Sequence, residues 1–136
     1  MKQVLFAYAG TAASMLALDA VWLSTMAERL YRPELGDLLA EDFRAEPALA
    51  FYVVYIFGVT RFAALPALRD GGWRKALLDG ALLGLVAYGT YDLTNEATLR
   101  RWPFVVTAFD LLWGAFLTGV SAVAGYLAAR RVTSSA

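Results

Sequence analysis

Apolar residues gather in four long runs separated by short polar breaks. The first covers about residues 3–26 and is apolar except for Asp19. The second, about 47–68, is interrupted by Arg61, the third, about 76–96, holds Asp79 and Asp92, and the fourth, about 103–129, holds Asp110. A bilayer core about 30 Å thick takes roughly 20 mostly apolar residues per helix, so each run is long enough to cross it. Lipid offers no partner to an open strand edge, which makes helices the expected form of all four. The pattern therefore predicts an all-α fold: one integral membrane domain over residues 1–136, built as a four-transmembrane-helix bundle.

The breaks between the runs are legible as well. Arg69-Asp70-Gly71-Gly72 reads as a tight turn, and Pro103 suits the first turn of the fourth helix, where its missing N–H costs nothing. Arg130-Arg131 and a Ser-rich tail close the chain. The one long connection, Ala27 to Glu46, spaces Leu35, Leu38, Leu39 and Phe43 at helical intervals opposite Glu34, Asp37, Glu41 and Asp42. This predicts a short amphipathic helix over about 33–44 in the first extramembrane connection, lying on the membrane surface or capping the bundle as a solvated helix. Lys2, an apolar stretch and Ala7-Tyr8-Ala9 imitate a secretory signal, but the apolar run continues well past them, so the segment is read as a retained span.

Composition narrows the function classes. The 136 residues are 60% apolar and 18% charged, against about 45–50% and about 25% in soluble globular domains. The excess apolar surface must face lipid, which argues against a soluble enzyme, a disordered tail or a nucleic-acid binder. Twelve basic and twelve acidic residues cancel, so no overall field steers an anionic partner. Cysteine and histidine are absent, which removes disulfides, thiolate chemistry, the commonest transition-metal ligand and the commonest general base. No metal or cofactor is expected. Lys2, Arg69, Arg74, Lys75, Arg130 and Arg131 would share one side of the membrane, and Arg29, Arg32, Arg44, Arg100 and Arg101 the other. The slight excess places both termini in the cytoplasm.

Acidic residues inside such spans usually face the bundle interior and mark a site. Asp19 precedes the outer end of the first helix by about seven residues and Asp110 follows the start of the fourth by about seven, which puts both roughly 10 Å below the outer boundary. Asp92 falls slightly shallower, Tyr52 and Tyr55 fall in the same slice, and Thr94, Asn95 and Glu96 lie nearer the rim. Asp19 and Trp22, like Asp110 and Trp113, stand three apart on one helix face. An indole N–H can donate to a carboxylate, so the two indoles are expected to bracket the acidic layer from above and below. Thr107, Asp110, Gly114, Thr118, Ser121 and Gly125 form one small-and-polar stripe, and Gly80, Gly84, Tyr88 and Asp92 another; both are expected core faces.

Plainer roles compete for the same residues. Asp79 follows Lys75 by four and suits an interfacial ion pair, and Trp73 and Trp102 suit interface anchors. Arg61 either turns to the headgroups or pairs with a buried aspartate. Asp92 and Glu96 are suited to ending the third helix, while Asp19 and Asp110 could simply hold two helices together.

Three stretches together resemble a known family. Asp19-x-x-Trp22 is followed by Tyr31-Arg32-Pro33-Glu34-Leu35-Gly36, Pro47-Ala48 and Phe51-Tyr52. Tyr91-Asp92-Leu93-Thr94-Asn95-Glu96-Ala97-Thr98-Leu99 runs on to Trp102-Pro103, and Asp110-Leu111-Leu112-Trp113-Gly114 closes the set. The chain is similar over nearly its whole length to the bacterial integral-membrane family known as domain of unknown function 2177. That resemblance implies a small polytopic protein of the bacterial inner membrane and supplies no activity, substrate or cofactor.

Two readings from different classes follow, with a third beside them. In the first, Asp19, Trp22, Tyr52, Tyr55, Asp92, Asn95, Glu96, Asp110 and Trp113 bind or conduct a small cationic or amphipathic ligand, or protons. In the second, paired carboxylates serve a membrane-embedded enzyme acting on lipid or isoprenoid substrates. Against it, Arg61 is the one deep cation for a phosphate, no Ser or Cys has a histidine base, and no catalytic residue is assigned. The third is an accessory subunit of a larger membrane complex. Expected partners are the lipid bilayer and a small-molecule or lipid ligand, with no nucleic acid. Four helices enclose little volume, so a transport path would call for a homodimer.

Overall fold

The computed structural model describes residues 1–133, so the Ser-rich tail at Ser134 and Ser135 lies outside the described residues. Four helical rods make up the protein, and no strand occurs among the described residues. The first rod joins α1 (Lys2–Met26) to the short α2 (Arg32–Leu35) through a π-helical turn at Ala27–Tyr31. The second joins α3 (Ala45–Val59) to α4 (Leu65–Arg69) through a second π-helical turn at Thr60–Ala64. The third is α5 (Gly72–Thr98) and the fourth α6 (Phe104–Thr133).

Both π turns sit just before a proline, Pro33 and Pro66. A proline inside a helix lacks an N–H, and its ring collides with the carbonyl four residues back. Here those carbonyls belong to Arg29 and Phe62, inside the widened turns. Widening the helix by one residue clears the collision without breaking the rod.

Three rods, Lys2–Leu38, Ala45–Arg69 and Phe104–Val132, are each long and apolar enough to cross a bilayer. The third, α5, has 27 residues, about 40 Å of helix, but its Lys75, Asp79, Asp92, Asn95 and Glu96 make it more polar. It gains its place by packing. Gly84 lies against the α6 backbone so closely that an added Cβ would stand 2.0 Å from the Gly114 carbonyl oxygen. Small residues permit this approach, and van der Waals contact between the rods is what holds membrane helices together. α6 packs against both α1 and α5 and forms the centre of the bundle, while α3 touches it less closely. The core of Met15, Ile56, Val59, Ala63, Leu117, Ala122 and Tyr126 fills the half near the Gly71–Gly72 turn. Large apolar side chains such as Phe6, Leu16, Val54, Leu82, Val86 and Leu112 point outward, as a lipid-facing surface requires.

The connections refine the expected outline. Gly71 and Gly72 turn the chain with φ values of 86° and 63°, which glycine tolerates without a Cβ clash. Pro103 precedes rather than opens α6, and its carbonyl accepts the Val106 N–H. The helix expected over 33–44 is shorter than its apolar spacing suggested: α2 and a 3₁₀ turn at Gly36–Leu38 extend the first rod, and Leu39 is already extended. Gly36, at φ 49° and ψ −117°, is the stop. The first rod thus projects well past Met26, and Leu30 and Leu35 pack with Val106 in a small second core.

Candidate functional site

In the half of the bundle near the long connection, three acidic residues are withdrawn from the surface: Asp19 is 6% exposed, Asp92 0% and Asp110 7%. They come from α1, α5 and α6. Asp19 accepts a short hydrogen bond from the Tyr52 hydroxyl of α3 and another, at 3.1 Å, from the indole N–H of Trp113. Asp110 accepts from the Tyr31 hydroxyl at 2.5 Å, and that hydroxyl accepts from the Trp22 indole at 2.9 Å. The two indoles lie face to face, 4.3 Å between centroids and 7° from parallel. One continuous chain of contacts therefore runs from Tyr52 through Asp19, Trp113, Trp22 and Tyr31 to Asp110.

This corrects the expected bracketing of the acidic layer by the two tryptophans. In a helix every side chain leans toward the N-terminus. α1 and α6 run in opposite directions, so Trp22 and Trp113 lean toward each other and meet within the layer. Each then serves the other helix's aspartate: Trp113 directly and Trp22 through Tyr31. Burying two indoles as a stacked pair contributes about 0.5–1.5 kcal/mol beyond their area.

Asp92 stands at the end of this chain. Its carboxyl abuts that of Asp110, and neither of its oxygens has a hydrogen-bond donor in the protein. Two carboxylates side by side repel; the contact is favourable with a proton between them or a cation beside them. The remaining expected residues fall around this centre. Glu96 accepts from Thr107 at 2.9 Å, and Thr107 in turn accepts from the Trp102 indole at 3.1 Å, closing the rim between α5 and α6. Asn95 lies beside Tyr91 at the same rim. Tyr55 lies apart from the carboxylates, hydrogen-bonded to Thr118 at 2.8 Å, with its ring 5.1 Å from Phe51 and 6.5 Å from Tyr88. Lys75 and Asp79 form an ion pair at 2.8 Å near the Gly71–Gly72 turn. Arg61 meets no buried aspartate and is exposed on the second rod.

A cleft of about 990 Å³ leads to Asp110 from the side of the long connection, with Asp92 sealed behind it. Leu23, Leu35, Leu39, Phe43 and Val106 give it apolar walls, Tyr91 and Trp102 an aromatic flank, and Tyr31 and Asp110 a polar floor. Tyr91 and Trp102 meet edge to face at 5.6 Å. No group of three acidic side chains among the described residues is gathered closely enough to hold a metal ion.

Tyr31 was not among the expected site residues, although it joins Trp22 to Asp110. In linear order the apolar run ends at Met26, whereas Leu30, Tyr31 and Leu35 continue it through a π turn, with Pro33 as the mark of that turn. Thr107 was read as part of a packing stripe alone.

The chain matches a family described as predicted membrane protein (DUF2177) over residues 4–127. Neither the curated proteins nor the solved structures yield a match. With 4–127 spanning all four rods and every acidic residue of the buried layer, the chain belongs to the DUF2177 family of predicted membrane proteins.

Proposed function

We propose that the protein binds a small amphipathic cation in the cleft beneath the long connection. The observation that carries this reading is Asp92: a fully buried carboxyl without a donor, pressed against Asp110 at the floor of an apolar and aromatic cleft. A cationic head beside Asp110 would relieve the repulsion between the two carboxyls, in a setting where low dielectric strengthens the attraction. The flank of Tyr91 and Trp102 would add the attraction of ring faces for a cation. Leu35, Leu39 and Phe43 would cover the apolar part of the ligand. Asp19 is held by Tyr52 and Trp113 and would act by orienting the indole pair. In this reading the cleft opens away from the cytoplasm of a bacterial inner membrane, with Met1 and the Gly71–Gly72 turn on the cytoplasmic side.

The test uses two probes of one shape and opposite charge, tetraphenylphosphonium and tetraphenylborate, titrated into the protein in nanodiscs by calorimetry. Saturable binding of the cation alone is expected, weakened at least tenfold by Asp110→Asn. Equal binding of both ions, or an Asp110→Asn variant that binds the cation like the parent, would overturn the reading.

A further inference from the structure

A second, smaller cleft of about 310 Å³ lies at the opposite end of the bundle, between the start of α1 and the second rod. Its lining divides by chemistry. Arg61 and Arg69 supply two guanidinium groups, Tyr8 a hydroxyl, and Phe57 and Leu65 an apolar side.

Arg61 is out of place by composition alone. It stands eight residues before Arg69, the last residue of the second rod, which is about 12 Å along the helix. A charge at such depth on a lipid-facing surface costs about 2.5–3.5 kcal/mol on insertion scales and normally has a partner. None of the ion pairs among the described residues involves Arg61 or Arg69; the Arg61 guanidinium lies over the Phe62 ring, 6.0 Å from its centroid. Thr60 is 2% exposed and its hydroxyl is sealed inside the bundle without a partner, as are those of Thr11 and Ser121, so it offers the cleft no donor. Thr60 opens the π turn ahead of Pro66, where the regular carbonyl spacing is lost. The hydroxyl of Tyr8 donates weakly to the Val53 carbonyl at 3.5 Å.

We propose that this cleft binds the phosphate headgroup of an anionic phospholipid, with Arg61 and Arg69 gripping the phosphate and an acyl chain lying along Phe57 and Leu65. Guanidinium groups match phosphate oxygens in pairs, and basic pockets between membrane helices take headgroups in this way. A lipid is favoured over free phosphate because the cleft continues into an apolar wall that faces the bilayer. The site is separate from the acidic cleft, and neither proposal depends on the other.

Native mass spectrometry of the detergent-solubilised full chain, offered equimolar phosphatidylglycerol and phosphatidylcholine of identical chains, tests it. The parent protein is expected to retain phosphatidylglycerol at least fivefold over phosphatidylcholine, and Arg61→Gln with Arg69→Gln to bring that ratio within twofold. Equal retention by the parent, or an unchanged ratio in the double variant, would overturn the proposal. sn-Glycerol 3-phosphate at a hundredfold excess is expected to leave the lipid bound. Displacement at equimolar concentration would show a phosphate site without lipid recognition and would also overturn it.

Discussion

Tyr31 is the residue on which the acidic layer turns. Its hydroxyl is at once the acceptor for Trp22 and the donor to Asp110, so Tyr31→Phe strips a partner from both. An unmade hydrogen bond to a buried group costs about 1–3 kcal/mol. The variant is expected to unfold earlier by about that amount in an SDS titration of mixed micelles, while Tyr91→Phe, at an exposed rim position, moves the midpoint by less than about 0.5 kcal/mol. Equal midpoints for Tyr31→Phe and the parent would mean that the bridge carries no structural weight. Asp19 and Asp110 could be named from sequence because a charge in an apolar run is visible one residue at a time. Tyr31 could not, because tyrosine is unremarkable in a connection and gains its meaning from a helix that continues where hydropathy falls.

At the scale of elements, close approach of α5 and α6 is what admits a polar helix to the bundle. Gly84→Ala would drive its Cβ into the Gly114 carbonyl, and the rods would have to separate. A loss of several kcal/mol is expected, in the range of about 1–3 kcal/mol or more that overpacking costs, read as a fall in melting temperature. Gly58→Ala is the matched control: nothing lies within 4 Å of its added Cβ, and relief from glycine's helix penalty should stabilise by about 0.5–1 kcal/mol. If both substitutions shift melting alike, the contact at Gly84 does not set the spacing. The small-residue stripes of both helices were legible in the chain because the helical repeat places them on one face. Which face met which was not, since a stripe carries no address.

The whole molecule is a set of rods with its two clefts at opposite ends, one floored by Asp110 and lined by charges of both signs, Arg32, Arg44, Glu41 and Asp42, the other with Arg61 and Arg69 as its charged lining. That asymmetry predicts a topology. The chain contains no cysteine, so single replacements report cleanly: Asp70→Cys and Asp37→Cys, both at exposed positions, should react with an impermeant maleimide from opposite sides of sealed vesicles. Labelling of both from one side would contradict a bundle in which the second rod, Ala45–Arg69, crosses the membrane. The exposed guanidinium of Arg61 and the orphaned carboxyl of Asp92 lie in different halves, and pairing them would require a different fold.

Hydropathy and period were enough to predict four helices and the acidic residues inside them, because solvation acts on each residue and leaves its mark in linear order. They did not tell that the indoles stack, that Trp113 serves Asp19 rather than its neighbour Asp110, or that Asp92 is left without a donor. Those outcomes depend on how antiparallel helices lean and where two proline-induced turns shift their phase, and both are settled only when separate rods come into contact.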